Sequence, residues 1–318
     1  MPLRWLLIAA IALVACTTDL TAQLRSDLPP PAWEPIGARI TWKGLSFIVP
    51  PGMTGTPQGD AYEMTGLGVL GRAGQCAIMI SGEIPARGDL GTYAQDLLVA
   101  NMASLGVGIT DSQGGSNLAA DRRVGRSADG WRYVELNGMV TAGGANRARL
   151  MLIERGSTVV PILAVANPSN GCVGLSNETT PNGNTITWLA FYYSLKLVGA
   201  TPSDHLRGQV IGRWGGSGAS AAAGAGMVQD EIFATNGQYD SNILGGAPTG
   251  LVSSTGAGRY VVDADKLAVY PAGGKPEAYL FRVVEDFSVL TPSRSTLQLC
   301  KIKFDVGGPH ERCLSRSN

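Results

Sequence analysis

Apolar and polar positions alternate with period two through most of this chain, the mark of half-buried strands. Arg39–Trp42 and Leu45–Val49 flank Lys43-Gly44, which predicts a hairpin ended by Pro50-Pro51. Strand-like runs follow near 61–70, 75–82, 119–126, 131–141, 146–154 and 157–166. Pro161 lies inside the last of these and predicts an edge position or a bulge, because proline cannot donate to a ladder. Two stretches change period. Leu90, Tyr93, Leu97, Leu98, Ala100 and Met102 recur at helical spacing and predict a helix over 89–105, stopped at Gly106. Ile186, Leu189, Tyr192, Tyr193 and Leu195 predict a second helix from about Thr185 to Lys196.

From Gln209 onward the pattern is almost wholly that of strands. They run over 209–214, 227–234, from Tyr239, and over 259–262, 266–270, 277–288, 296–304 and 311–316. Asn236-Gly237 between Phe233 and Tyr239 is a strong hairpin signal. About eight short antiparallel strands in roughly 110 residues are best closed into a barrel, which removes the exposed edges of a sheet. The expected organisation is therefore a leader over 1–15, a tether over 16–35, an α+β domain over 36–198, a linker over 199–208 and a β-barrel domain over 209–318. Pro29-Pro30-Pro31 makes the tether extended.

Composition fits this plan. The chain has 318 residues, 43 of them glycine, with 44% hydrophobic and 16% charged residues, as expected for a turn-rich β protein. Lys plus Arg equals Asp plus Glu at 25 each, so there is no basic field to hold nucleic acid.

The apolar run Trp5–Ala15 follows one cation, Arg4, and is too short to span a bilayer. It ends in Leu13-Val14-Ala15-Cys16, which resembles the lipobox of bacterial lipoproteins. That resemblance implies a lipidated Cys16 as the first mature residue and a membrane partner reached through the lipid anchor. The expected location is the bacterial cell envelope. Thr17 in place of an inner-membrane retention Asp points to the outer membrane, on its periplasmic or surface face. Secretion after ordinary cleavage near Ala12 or Ala15 is the alternative.

Two further resemblances concern the domains. Gly44-Leu45-Ser46-Phe47-Ile48-Val49-Pro50-Pro51-Gly52 and the closing Tyr193-Ser194-Leu195-Lys196 resemble the Mog1/PsbP-like α/β/α sandwich over about 36–198, although Met53 stands where such starts carry an aromatic. Gly212-Arg213-Trp214 at the head of an all-β stretch is similar to the G-x-W of lipocalin-like eight-stranded antiparallel barrels. In that family the tryptophan packs at the closed end under an arginine from a late strand. The resemblance thus assigns barrel closure to Gly212, Trp214 and a partner, for which Arg312 and Arg282 are the candidates.

Four cysteines remain after Cys16, an even number consistent with disulfides in an exported protein. The domain division favours Cys76–Cys172 and Cys300–Cys313. A turn at Gly307-Gly308 would bring Cys300 opposite Cys313 on paired strands, close enough for a disulfide. Two free thiols at Cys76 and Cys172 stay open. A metal site from Cys300, His310 and Cys313 is disfavoured for want of a fourth ligand, so no metal or cofactor is expected.

Catalytic signatures are sparse. His205 and His310 are the only histidines, and neither G-x-S-x-G nor H-E-x-x-H occurs. Gly66-Leu67-Gly68-Val69-Leu70-Gly71 matches the dinucleotide fingerprint, but a strand rather than a helix follows it. Glu285 and Asp286 are adjacent and face opposite sides of a strand. The expectation is a non-enzymatic envelope protein that acts by binding a small apolar ligand in the barrel or an envelope protein partner. The barrel aromatics Trp214, Phe233, Tyr239, Tyr260, Tyr270, Tyr279, Phe281 and Phe287 would line a cavity or fill a packed core. A structural or assembly subunit of an envelope complex is the alternative, and an enzyme ranks third.

Overall fold

The computed structural model describes residues 37–50, 53–66, 76–141, 146–166, 186–200, 205–220, 225–247, 250–288, 290, 294–305 and 308–317. Cys16, Cys172 and the leader, tether and G-x-G-x-x-G loop therefore lie outside the described residues. In the first half, strands β1 (Ala38–Trp42), β2 (Leu45–Val49), β3 (Met53–Gln58), β4 (Ala61–Gly66), β5 (Cys76–Ile80) and β6 (Ile84–Pro85) precede helix α1 (Leu90–Ser104). Then come β7 (Ile109–Thr110), β8 (Arg122–Arg126), β9 (Arg132–Val140), β10 (Asn146–Arg155), β11 (Thr158–Ala166), helix α2 (Ile186–Ser194) and β12 (Lys196–Leu197). Helix α3 (His205–Val210) leads into β13 (Gly212–Ser220), β14 (Ala225–Phe233), β15 (Gln238–Ala247) and β16 (Gly250–Asp263). Strands β17 (Lys266–Pro271), β18 (Glu277–Phe287), β19 (Ser295–Asp305) and β20 (Gly308–Arg316) complete the chain.

Local chemistry explains the ends of these elements. The Lys43-Gly44 turn has positive φ at both residues, 44° and 77°, and joins Trp42 to Leu45 in register. Asp89 caps α1 by accepting from Thr92 N at 2.9 Å, which also holds its carboxyl below the usual range, and Gly106 at φ 73° ends that segment.

An antiparallel sheet runs β3-β4-β5-β11-β10-β9-β8. Both its faces are buried. Ala148, Leu150, Leu152, Val159 and Leu163 pack under α1, while Met151, Ile153, Val160, Ile162 and Ala164 face α2 and the small sheet β1-β2-β12. Pro161 sits in the middle of this sheet rather than at an edge. Its carbonyl accepts from Ser81 N at 2.9 Å, so its nitrogen points the same way, toward the break between β5 and β6. No ladder bond is lost there.

The second half closes. Each strand from β13 to β20 pairs antiparallel with the next, and β20 returns to β13 through Trp214↔Arg316 and Gly215↔Ser315, an eight-stranded barrel. The start differs from the sequence expectation, because residues 205–210 form a helix and the first strand begins at Gly212. Leu206 and Val210 on α3 are fully buried in the barrel core, so the segment is drawn in as a cover for one barrel end.

The two halves are fused. Strand β18 pairs with β17 through Glu277–Leu280, and then with β8 through Val284↔Gly125, Glu285↔Val124 and Asp286↔Arg123. The outer face of β17–β19, with Ala268, Ala278, Leu280, Val284, Cys300 and Ile302, belongs to the same core as Phe47, Tyr133 and Trp188. Cys300 and Cys313 are directly opposed and joined by a disulfide that closes a separation of 13 residues. In the chain-entropy description such a loop contributes about 3 kcal/mol. With both sulfurs bonded to each other, they are not thiolate ligands for a metal.

Candidate functional site

The barrel has a sealed end. Trp214 is fully buried, and its Nε1 donates to Val210 O at 2.7 Å, tying the tryptophan to the covering helix. The arginine over its ring is Arg316, with the guanidinium 5.5 Å from the ring centre and Nη2 donating to Ile211 O at 3.0 Å. This corrects the assignment to Arg312 or Arg282. Arg312 has the right parity on β20 but lies four residues, two inward positions, from Arg316, where β20 meets β13. Arg282 faces outward, 5.7 Å from the ring centres of Tyr192 and Tyr193. Gly212 is required here, because φ is 140° and a Cβ would meet Arg316 Nη2 at 3.1 Å.

Moving along the strands from this end, the inward side chains change chemistry. Phe233 gives way to Glu231 and Gln229, Leu299 to Lys301 and Lys303, Phe281 to Tyr279 and Glu277, and Leu314 to Arg312. Lys301 Nζ donates to both oxygens of Glu231, at 2.6 and 2.5 Å, with the two side chains 5% and 1% exposed. Gln229 Nε2 also donates to Glu231, and Gln229 Oε1 has no hydrogen-bond partner. The Tyr279 ring lies 4.8 Å from the Lys301 ammonium, and its hydroxyl donates to Glu277. Burial, reinforced by Glu231, pushes the Tyr239 hydroxyl well above its ordinary range. Burial and the bond to Glu277 do the same for Tyr279, so both are held as O–H groups.

Beyond this charged layer the inward side chains become accessible to water. Lys303 and Glu277 share a 3.5 Å ion pair and face inward, yet their side chains are 37% and 44% exposed. Inward-facing groups of that exposure mean that water enters the barrel at their level. A buried ion pair is a poor source of stability, since desolvation offsets much of its attraction.

A second buried polar cluster joins the halves. Arg149 Nη1 donates to Glu135 Oε1 at 2.8 Å, the Tyr133 and Tyr192 hydroxyls are 2.5 Å apart, and Tyr193 donates to Glu311 Oε1 at 2.7 Å. Burial raises the Glu311 carboxyl, opposed by Arg123, and pushes Tyr133 up to about 12. Every group here is walled in by core aromatics, which suits a joint rather than a binding site. A groove of about 420 Å³ on the outer barrel face is crossed by the 2.6 Å Arg213–Asp230 ion pair.

The other expected residues are scattered. Phe233, Tyr239, Tyr260 and Phe281 fill the barrel with Trp214. Tyr270 packs outside it, and Phe287 carries the Arg122 guanidinium 3.9 Å from its ring centre. Asp286 bonds Arg123 at 3.1 Å across the junction, while Glu285 is exposed on the opposite side. His205 starts α3, where burial lowers its pKa. His310 opposes Lys303 in the β19–β20 register, but its side chain lies outside the described residues, as does that of Cys76 at the head of β5. The partner of Cys76 is likewise not described.

No family model matches this chain, and no curated protein does. Among solved structures it is similar to the solution structure of cyanobacterial PsbP (CyanoP) from Synechocystis sp. PCC 6803. The identity is 16%, 50% of this chain and 91% of that chain are covered, and the TM-score is 0.32.

Proposed function

We propose that this protein is a non-enzymatic, lipid-anchored protein of the bacterial cell envelope that works by binding a small molecule in the open half of a lipocalin-like barrel. The N-terminal module, read as Mog1/PsbP-like on its opening and closing motifs, serves as the rigid platform. The observation that carries the reading is the barrel itself, sealed by Trp214 and α3 at one end and water-open at Lys303 and Glu277 beyond a buried ion pair. An eight-stranded barrel has an interior just wide enough for packed side chains or one small ligand.

Two measurements test it. Cys16→Ser should release the protein from membranes or block its processing in cell fractionation, and unchanged membrane attachment would rule out the anchor. Native mass spectrometry of protein extracted gently from envelopes should show a bound small molecule, and a bare chain throughout would count against a ligand carrier.

A further inference from the structure

The charges inside the barrel do not balance. Among the described inward-facing residues, Lys301, Lys303 and Arg312 stand against Glu231 and Glu277. Lys301 is held by Glu231, and Lys303 is paired with Glu277. Arg312 makes no hydrogen bond or ion pair among the described residues. It faces the interior nonetheless: it is opposite Lys301 in the β19–β20 register, and its charge is felt at the Tyr239 hydroxyl. It is half-buried, and no described residue holds its guanidinium by a hydrogen bond or ion pair. A guanidinium offers a fixed fork of donors that suits carboxylate and phosphate oxygens.

A second orphan lies in the same space. Gln229 is 6% exposed, and its Oε1 accepts no hydrogen bond, although its Nε2 is engaged by Glu231. An unpartnered buried acceptor is costly and marks a place for a donor. Among the described residues Arg312 thus lacks an anion and Gln229 lacks a donor, on neighbouring inward rows: Gln229 opposes Gly216, which lies against Leu314, and Arg312 is the next inward residue on β20.

We propose that Arg312 and Gln229 are the recognition groups of this barrel, and that its ligand is a small organic anion that also carries a hydrogen-bond donor. The anionic group meets the Arg312 fork, and the donor meets Gln229 Oε1. This rests on the reading of the barrel as a binding site and replaces the expectation of a purely apolar ligand.

The test uses two dyes that share an aniline N–H and differ in one sulfonate, 8-anilinonaphthalene-1-sulfonate and N-phenyl-1-naphthylamine. In fluorescence titrations of the full mature chain, the anionic dye should bind at least tenfold tighter than the neutral one, with affinity falling as salt rises. Arg312→Gln should weaken the anionic dye about tenfold or more and leave the neutral dye within about twofold. Arg312→Lys, which keeps the charge, should recover much of the loss. Arg213→Gln, on the outer barrel face, should change neither. Equal binding of both dyes, or an anionic-dye affinity untouched by Arg312→Gln in a variant with a wild-type melting curve, overturns the anion assignment and leaves barrel binding standing. Binding of neither dye to the wild type overturns the assignment and the barrel reading together.

Discussion

Lys301→Met should lower the unfolding free energy by about 3–5 kcal/mol, because it strands a carboxylate that the fold has already removed from water. Glu231 is 1% exposed and takes both of its strong bonds from the Lys301 ammonium. Methionine fills the same space but supplies no charge. Adding Glu231→Leu removes the stranded charge and should return most of the loss. Urea unfolding followed by circular dichroism measures both variants. A deficit below about 1 kcal/mol would show that the pair is not buried as described.

Trp214→Ala should cost about 3–5 kcal/mol, the usual price of emptying a large aromatic from a core. The indole is fully buried, holds α3 through Val210 O, and lies under Arg316. Removing it opens a cavity and also frees the covering helix. Trp214→Phe keeps part of the ring but orphans the Val210 carbonyl, so a smaller loss of about 1–3 kcal/mol is expected. Arg312→Gln should change stability by under about 1 kcal/mol, because no ring among the described residues stacks on Arg312. Chemical denaturation of the three variants reads the difference. Equal losses for Trp214→Ala and Arg312→Gln would return Arg312 to barrel closure.

Much of this architecture was legible in the alternation of side chains. The hairpin at Lys43-Gly44, helix α1 between Asp89 and Gly106, and the Cys300–Cys313 opposition follow from local rules of turns, caps and register. The G-x-W tryptophan was recognisable because its neighbours are all strands. Its arginine was assigned two inward positions too early, since parity along β20 does not say where that strand meets β13. Pro161 was read as an edge or bulge residue because a single strand cannot reveal that its other neighbour is broken into two pieces.

The charged floor was missed for a definite reason. In Leu297-Gln298-Leu299-Cys300-Lys301-Ile302-Lys303, the lysines alternate with apolar residues and look like a solvent face. In the fold, Cys300 and Ile302 point outward into the core shared with the first half, while Lys301 and Lys303 point into the barrel. Only the docking of the two halves turns the apparent outside into the buried side. By itself, the sequence determined the strand periodicity, the number of barrel strands and the pairing of Cys300 with Cys313, because these depend on residues close along the chain or on a period of two. The tertiary structure alone decided which face of β18–β20 is interior, which arginine closes the barrel and where Glu231 finds its cation. Those facts depend on strands far apart in the chain, whose register is set by the closure of the barrel and its fusion to the sheet through β8.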